Sequence, residues 1–396
     1  MSARATRMPD ARGREVGQEG AQEAGRFAAP SAAWIPVGWL YGLAARLHRA
    51  CARRLRALRP RPACAVVSVG ALTVGGAGKT PLAAALAAGL AARGHRVVLA
   101  SRGYGGRSRA QVTRVDDRPR GARLAVEVGD EPLVLAAHAP GVPVLVGRDR
   151  RIVGHHAVSK LGAEILVLDD GFQHHRLARD LDIVAVDAAS GLGNGRVLPA
   201  GPLREPGSSL RHADWLCVVG DADAVANPMT GATERSVPVR DAVSTMALRD
   251  DFRRSGRFAL AAHRQPKSVV SLDGARRLAL GALAGRRVGL VCGLARPESF
   301  RRTVESLGAE VACLRAFPDH HAYVEADLRD LDPALDLWLT SEKDAVKLEP
   351  AWVGRAALFV LGIEVVIDAE REVFAGIEAI LRAAGRLPAA GPGSGS

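Results

Sequence analysis

The stretch SVGALTVGGAGKTP, Ser68 to Pro81, decides the fold. It continues an apolar run, AVVSV, and leads into KTPLAAALAAGLAARG, a helix-forming segment that ends at Gly94. Strand, glycine-rich loop and helix together are the setting in which G-x-x-x-x-G-K-[ST] cradles nucleotide phosphates. Gly78, Lys79 and Thr80 supply the end of that pattern, but its first glycine position holds Thr73. Gly75, Gly76 and Gly78 keep the tight bends and the close backbone approach. Main-chain N–H groups along Thr73, Val74, Gly75, Gly76, Ala77, Gly78, Lys79 and Thr80 would then face phosphates at a helix N-terminus. Lys79 would reach the β- and γ-phosphates, and Thr80 would hold Mg²⁺. Pro81 falls in the first helical turn, where its missing N–H costs nothing.

Outward from this loop the apolar runs AVVSV, RVVLA, VPVLV, ILVLDD, DIVAVDA and WLCVV alternate with helix-length segments. Continuous apolar strands separated by helices predict an α/β, P-loop NTPase-like, mostly parallel sheet with helices on both faces. A second series, RVGLVCG, EVACLRAF, LDLWLTS and ALFVLGIEVVI, predicts a smaller α/β domain ending in a helix near Val373 to Ala384. The expected division is a disordered extension over 1–30, an amphipathic helix within 31–60, and a kinase-type P-loop domain over 61–220. A linker region over 221–285, the smaller domain over 286–387 and a flexible tail over 388–396 complete it.

The chain of 396 residues is 48% hydrophobic and 24% charged, which suits a folded soluble or peripheral protein. Its net charge of +12 is unevenly placed: between Glu23 and Asp116 there is no acidic residue, against 15 Lys and Arg. Such a one-sign field favours an anionic partner, whether nucleic acid, a membrane face or phosphate ligands. The five cysteines form no C-x-x-C pair and read as buried, reduced thiols of a cytosolic protein.

Within SAAWIPVGWLYGLAARLHRACARRLRALRP, Leu40, Leu43, Leu47, Cys51, Leu55 and Leu58 recur at helical spacing, and Arg46, Arg49, Arg53 and Arg56 form a second stripe. Trp34, Trp39 and Tyr41 cluster at its start. The run is too short and too basic to span a bilayer. It predicts a helix lying among lipid headgroups, with aromatic anchors and with arginines on anionic lipid. The alternative is a helix packed on the body with a solvated arginine face.

A magnesium-nucleotide site also wants a carboxylate at a neighbouring strand end, and Asp169 and Asp170 follow the run ILVL. Glu131 joins Thr80, Asp169 and Asp170 as a Mg²⁺ candidate. Asp130 and Glu131 open a predicted helix, so they either cap it or face the crevice at the strand ends. His320, in the loop FPDHHAY, can form a general-base pair with a carboxylate across a cleft, but on its own it reads as a solvated loop histidine. Arginines in glycine-rich loops (Arg102, Arg150, Arg196 and Arg204) suit phosphate, because a guanidinium matches phosphate oxygens two at a time. The three His-His pairs lack metal-ligand spacing, which argues against zinc.

The ordered set LTVGGAGKTP, SRGYGG, GDEP, LDDGFQHHRLARDLDIVAVDA, GNGRVLPAGPLREP, CGLARPESF, FPDHHAY and TSEKDAVKL resembles the tetraacyldisaccharide 4′-kinase family of lipid A biosynthesis, from about Trp34 to about Ala384. In that family threonine is the normal residue at the position of Thr73. The resemblance implies a peripheral enzyme at the cytoplasmic face of the inner membrane. It would move the γ-phosphate of ATP to the 4′-hydroxyl of a tetraacyldisaccharide 1-phosphate, the lipid A precursor, giving lipid IVA. It also implies a cleft between two domains that closes on nucleotide, with Asp130 as the base and His320 as its partner. Arg102, Tyr104, Gln173 and Asn194 become substrate-side candidates on the same ground. Two rivals remain. A GTPase of the metal-chaperone type needs an N-K-x-D motif, and TSEKDAV has the wrong order. A basic nucleic-acid-binding ATPase would want aromatics interleaved with its charges, whereas here they cluster at the N-terminal helix. No nucleic-acid partner is expected, and the sequence leaves the oligomeric state open.

Overall fold

The computed structural model describes residues 34–54, 59–116, 118, 121–221 and 245–389. The expected disordered extension, most of the expected tail, Leu55 to Leu58 and the start of the expected linker lie outside the described residues. In chain order the elements are α1 (Trp34–Arg54), β1 (Ala65–Gly70), α2 (Lys79–Ala92), β2 (Val97–Ser101), β3 (Thr113–Arg114), α3 (Ala122–Val128) and α4 (Glu131–His138). There follow β4 (Val144–Val146), α5 (Arg150–Leu161), β5 (Ile165–Asp169), β6 (Leu181–Asp187), β7 (Trp215–Asp221), α6 (Thr245–Arg254), β8 (Phe258–Ser271) and β9 (Arg277–Leu278). The chain ends with β10 (Arg287–Cys292), α7 (Pro297–Ser306), β11 (Glu310–Ala316), α8 (Ala326–Arg329), β12 (Leu337–Ser341), α9 (Glu342–Ala345), β13 (Leu358–Ile367) and α10 (Glu370–Ala383). Each apolar run of the sequence is a strand.

All the strands belong to one sheet, ordered β11-β10-β12-β13-β8-β7-β6-β1-β5-β2-β4-β3, with β9 beside β8. From β8 to β4 the neighbours are parallel, and from β11 to β13 they are parallel again. The two halves join where β8 and β13 pair antiparallel. Residues 258–264 of β8 run along β7, and residues 262–271 run along β13. Strands of the two halves therefore point at each other, and their carboxyl ends face one another across a cleft. Loops at carboxyl ends are where open α/β sheets bind ligands, so this topology makes two such edges into one site.

The expected linker contains this join. Its described part carries α6 and the fourteen-residue β8. The polar stretch HRQPK in β8 hides the strand from a hydrophobicity reading. Pro266 is tolerated because it lies opposite Ile363, at the irregularity between Gly362 and Ile363 in β13, where ladder bonding is already broken. The last helix, α10, returns to the first half. Phe374, Ile377 and Leu381 bury against the core that holds Leu82, Leu86 and Leu90 of α2. Gly89 lets the Phe374 ring approach α2 more closely than any Cβ would allow. On the other sheet face α5 covers Val66, Val98 and Leu166, and the second half has its own core around Val288, Leu290, Leu339 and Phe359. Cys64, Cys217 and Cys292 are buried, but Cys51 and Cys313 are exposed, so the expectation of five buried thiols fails for two.

The N-terminal helix α1 docks by a small-residue face. Gly38 and Gly42 are buried against Val197, Ala200 and Pro206, and Arg49 continues that face two turns later. Arg49 differs from the expected lipid-facing arginine. It is buried, its Nε and Nη2 donate to the Glu205 carboxylate at 2.6 and 2.8 Å, and its guanidinium lies 4.4 Å from the Phe172 ring centre. Arg49→Leu would leave Glu205 buried and unpaired, a change that typically costs about 3–5 kcal/mol. The variant is expected to unfold at clearly lower urea, and a loss under about 1 kcal/mol would mean that water replaces the guanidinium.

Candidate active site

The phosphate loop begins as a strand continuation. Thr73 forms a bridge with Leu203, and Val74 N–H donates to the Pro202 carbonyl at 2.9 Å. Extended backbone at this position needs no glycine, which explains physically why Thr73 stands there. The left-handed turns come later, at Gly75, Gly76 and Gly78, with φ of 69°, 61° and 73°. Gly78 is the N-cap of α2 and offers no side-chain cap, so the first N–H groups of that helix are left for a ligand.

Two carboxylates stand opposite. Thr80 Oγ1 donates to Asp169 Oδ2 at 3.0 Å. Lys79 Nζ lies 3.6 Å from Asp170 Oδ1, and Arg204 Nη1 donates to Asp170 Oδ2 at 2.7 Å. Burial, aided by the nearby charges of Glu131 and Asp170, pushes the Asp169 carboxyl up to about 7. Burial also acts on Asp170, but Lys79 and Arg204 outweigh it and hold that group below the usual range. Asp170 occupies the left-handed region with φ of 51°, a strain of about 1–3 kcal/mol that the turn must sustain. Asp169 Oδ1 and Asp170 Oδ1 are buried without hydrogen-bond partners. With the Thr80 hydroxyl they form a hard-oxygen set suited to Mg²⁺. Among the described residues no group of three or more His, Cys, Asp or Glu could hold a metal unaided. Magnesium sites of phosphoryl-transfer enzymes meet that condition, since substrate phosphates and water complete the shell.

The facing edges bring Asp130 and His320 together from opposite halves. Asp130 is buried, caps α4 by accepting Glu131 N–H at 3.0 Å, and meets His320 Nδ1 at 3.2 and 3.0 Å through its two oxygens. Capping and site contact are thus both realised. Burial opposes the Asp130 charge, but the His320 hydrogen bond and the charges of Lys343, His320 and Lys347 lower its pKa overall. The same bond raises that of His320. His320 also has a positive φ, 60°, and Lys343 Nζ lies 3.3 Å from its Nε2. Among the described non-glycine residues only Asp170, His320 and Ala369 have positive φ, and two of them are here. Burial raises the pKa of Glu131, with Lys79 opposing. The Tyr104 ring centre is 5.8 Å from that of His320.

Other candidates serve the scaffold. Arg150 was expected to face phosphate, yet it is buried and donates to the main-chain carbonyls of Gly147 and Asp169 at 2.7 and 3.2 Å. It braces the turn that carries Asp169. Gln173 Nε2 donates to the Ala71 carbonyl at 2.9 Å, and Asn194 Nδ2 donates to that of Ala200 at 3.0 Å, so both amides hold loops. Arg102 is exposed near Arg150 and His174, and Arg196 is exposed.

A further group had no sequence signal of its own. Arg264 of β8 and Arg296 beyond β10 both donate to the Gly76 carbonyl, at 3.2 and 3.0 Å, and both hold Asp187 at 3.0 Å. They clip the phosphate loop to the second half. Lys343 and Lys347, behind Asp130, were likewise unassigned, although TSEKDAVKL and CGLARPESF stood out as motifs.

Comparison with known proteins decides the lineage. A sequence profile of the family described as Tetraacyldisaccharide-1-P 4′-kinase matches residues 31–382. The chain belongs to this family. Relatives named tetraacyldisaccharide 4′-kinase include one from Anaeromyxobacter sp. (strain K), 46% identical over 342 residues, covering 81% of this chain and 85% of the relative. Another, from Parvibaculum lavamentivorans, is 40% identical over 326 residues, covering 81% and 82%. Among solved structures, that titled as the "apo" form of LpxK from Aquifex aeolicus in complex with ATP is 29% identical, with a TM-score of 0.65 over 88% of this chain and 98% of that one.

Proposed function

We propose that this chain transfers the γ-phosphate of ATP to the 4′-hydroxyl of a tetraacyldisaccharide 1-phosphate, giving lipid IVA in lipid A biosynthesis. The observation that carries the reading is the buried Asp130 held by His320 across the cleft, beside a phosphate loop with Lys79. The 4′-hydroxyl approaches Asp130, which accepts its proton as the oxygen bonds to the γ-phosphorus and the bond from that phosphorus to the β,γ-bridging oxygen breaks, releasing ADP. His320 orients that carboxylate and shares its charge. Main-chain N–H groups of residues 75–80 and the Lys79 ammonium hold the transferring phosphoryl group. Thr80, Asp169 and Asp170, with Glu131 nearby, would hold Mg²⁺, which when bound supplies positive charge to the β- and γ-phosphates. Arg204 keeps Asp170 in place, and Tyr104, beside His320, and Arg102 would meet the incoming sugar. The test is incubation of the purified protein with γ-labelled ATP and disaccharide 1-phosphate in mixed micelles. Label should appear in the lipid, and label released only as inorganic phosphate would refute the assignment.

The acceptor is a lipid, and α1 supports presentation of the site at a membrane. Its outward side carries Trp34, Trp39, Leu40, Tyr41, Leu43 and Leu47, with Trp39 76% and Leu40 69% exposed. No helix among the described residues is long and apolar enough to cross a bilayer. The contact proposed is a peripheral one, at the cytoplasmic face of the inner membrane. Among the described residues none pairs with the side chain of Arg46 or Arg54, which suits them to anionic headgroups, while Arg49 is occupied by Glu205. Replacing Trp39, Leu40 and Leu43 by glutamate is expected to reduce cosedimentation with vesicles containing phosphatidylglycerol at least tenfold, because burial of each such side chain contributes about 1.5–3 kcal/mol. Undiminished binding would place the lipid contact elsewhere.

A further inference from the structure

The loop between β2 and β3 leads away from the reacting centre into an open cavity of about 440 Å³ that the chemistry above does not use. Arg107 and Arg109 from this loop and Arg148 from the turn before α5 line it, with Ser108, Gln111 and Asp149. All three arginines are exposed, and none of their guanidiniums is hydrogen-bonded or ion-paired to a described residue. The one carboxylate present does not neutralise them. Asp149 accepts from Arg151 Nε at 2.9 Å and caps α5 through Arg151 N–H, also at 2.9 Å. Three uncompensated guanidiniums around a cavity of ligand size are chemistry for an anion with several oxygens.

Its position relates it to the reacting centre from both sides. Arg148 lies two residues before Arg150, whose guanidinium holds the Asp169 carbonyl. On the other side Tyr104 is beside His320, and three residues of chain, at most about 11 Å, separate it from Arg107. The connecting loop is pinned: Arg107 N–H and Ser108 N–H donate to the carbonyls of Val126 and Glu127, just ahead of Asp130, at 3.1 and 2.8 Å. The cavity is therefore tied to the backbone just ahead of Asp130. The acceptor class named for the family carries its reacting hydroxyl on one sugar and a phosphate on the other.

We infer that the cavity lined by Arg107, Arg109 and Arg148 binds the phosphate monoester already present on the acceptor, and so sets which hydroxyl reaches Asp130. This rests on the activity proposed above. A phosphate could also come from a lipid headgroup, and the test separates the two sources.

Arg107→Gln, Arg109→Gln and Arg148→Gln, singly and together, are assayed in neutral detergent micelles with tetraacyldisaccharide 1-phosphate and with the same disaccharide lacking the 1-phosphate. Each substitution should raise the KM for the phosphorylated acceptor about tenfold, as loss of a hydrogen bond to a charged group does, and leave the KM for ATP unchanged. With the dephosphorylated acceptor the wild type should already show the raised KM, and the variants should add nothing. Equal losses on both acceptors would overturn the inference. So would losses seen only when anionic lipid is added, which would make the ligand a headgroup. Phosphorus NMR of glucosamine 1-phosphate supplies a readout without turnover. Its signal should broaden with the wild-type protein and not with the triple variant, and identical spectra would overturn the inference. A wild type that binds this probe but phosphorylates neither acceptor would refute the proposed activity alone. An active wild type with unaffected variants would refute the cavity assignment alone.

Discussion

Asp130→Asn is expected to lower kcat by about two to four orders of magnitude, the range that a positioned base contributes, with little change in the KM for ATP. An alcohol is a weak nucleophile, and asparagine cannot take its proton. Asp130 is suited to the task because it is buried yet held in its charged form by His320, Lys343 and Lys347. His320→Ala should cost less, since that ring acts through Asp130. The double variant should be little worse than Asp130→Asn alone, because members of one unit are not additive. Fully multiplicative losses would show that the two work separately. Stability offers an independent check with a definite sign. His320 has a raised pKa in the folded state, so its contribution is complete below the ordinary value of about 6.5 and is lost as pH rises through the raised one. Asp130 has a lowered pKa, so its contribution is complete above about 4 and is lost as pH falls through the lowered one. The Tm difference between wild type and His320→Gln should accordingly be greatest between about pH 4 and 6.5. A difference that grew from pH 6 to pH 9 would contradict an ion pair.

The dyad also shows where sequence reading runs out. The strands around it were legible, because sheets covered on both faces leave continuous apolar runs such as ILVLD and LWLTS. The phosphate loop was legible because its chemistry is local, and Asp169 and Asp170 because they end a recognisable strand. Asp130 and His320 lie 190 residues apart, and no spacing rule connects them. They meet because β8 and β13 pair antiparallel and turn two carboxyl edges toward each other, and β8 is the strand that polar residues disguised. Family resemblance supplied the pair that periodicity could not. Helix α1 was legible only in part, because the arginine stripe expected on headgroups loses Arg49 to the buried side. A leucine stripe at helical spacing normally marks the inward face, but in α1 the inward face is Gly38, Gly42 and Arg49, and the leucines point out. Hydrophobicity cannot distinguish a core from a lipid surface. Arg49 and Glu205 become partners only through the loop that also places Arg204 on Asp170, so their pairing is a property of the fold.

Lys79→Met is expected to cost about a thousandfold or more in kcat, at the upper end of what removal of one charge-stabilising donor does, while the protein remains folded. Lys79 faces Asp170 at 3.6 Å, and its charge lowers the Asp170 pKa and opposes the burial that raises those of Glu131 and Asp169. A pair at that distance is an ion pair rather than a tight hydrogen bond, so the ammonium can shift to phosphate oxygens at little cost. Methionine keeps the length of the stem and removes the charge. The three carboxylates then lose one of their shared counter-ions, with Arg150 still near them, and Asp169, already near 7, should hold its proton to higher pH. The residual activity of Lys79→Met should therefore have its pH optimum moved upward as well as its magnitude reduced. Lys79→Arg should rescue little, because the site is built on a compact ammonium between Asp170 and the loop, and a planar fork does not occupy that space in the same way. Nucleotide affinity should fall less than kcat, since the N–H groups of residues 75–80 still receive the phosphates. Near-normal turnover in Lys79→Met would remove the phosphate loop from the chemistry. An unshifted pH profile alongside a thousandfold loss would leave Lys79 acting on the phosphates but not on the carboxylates.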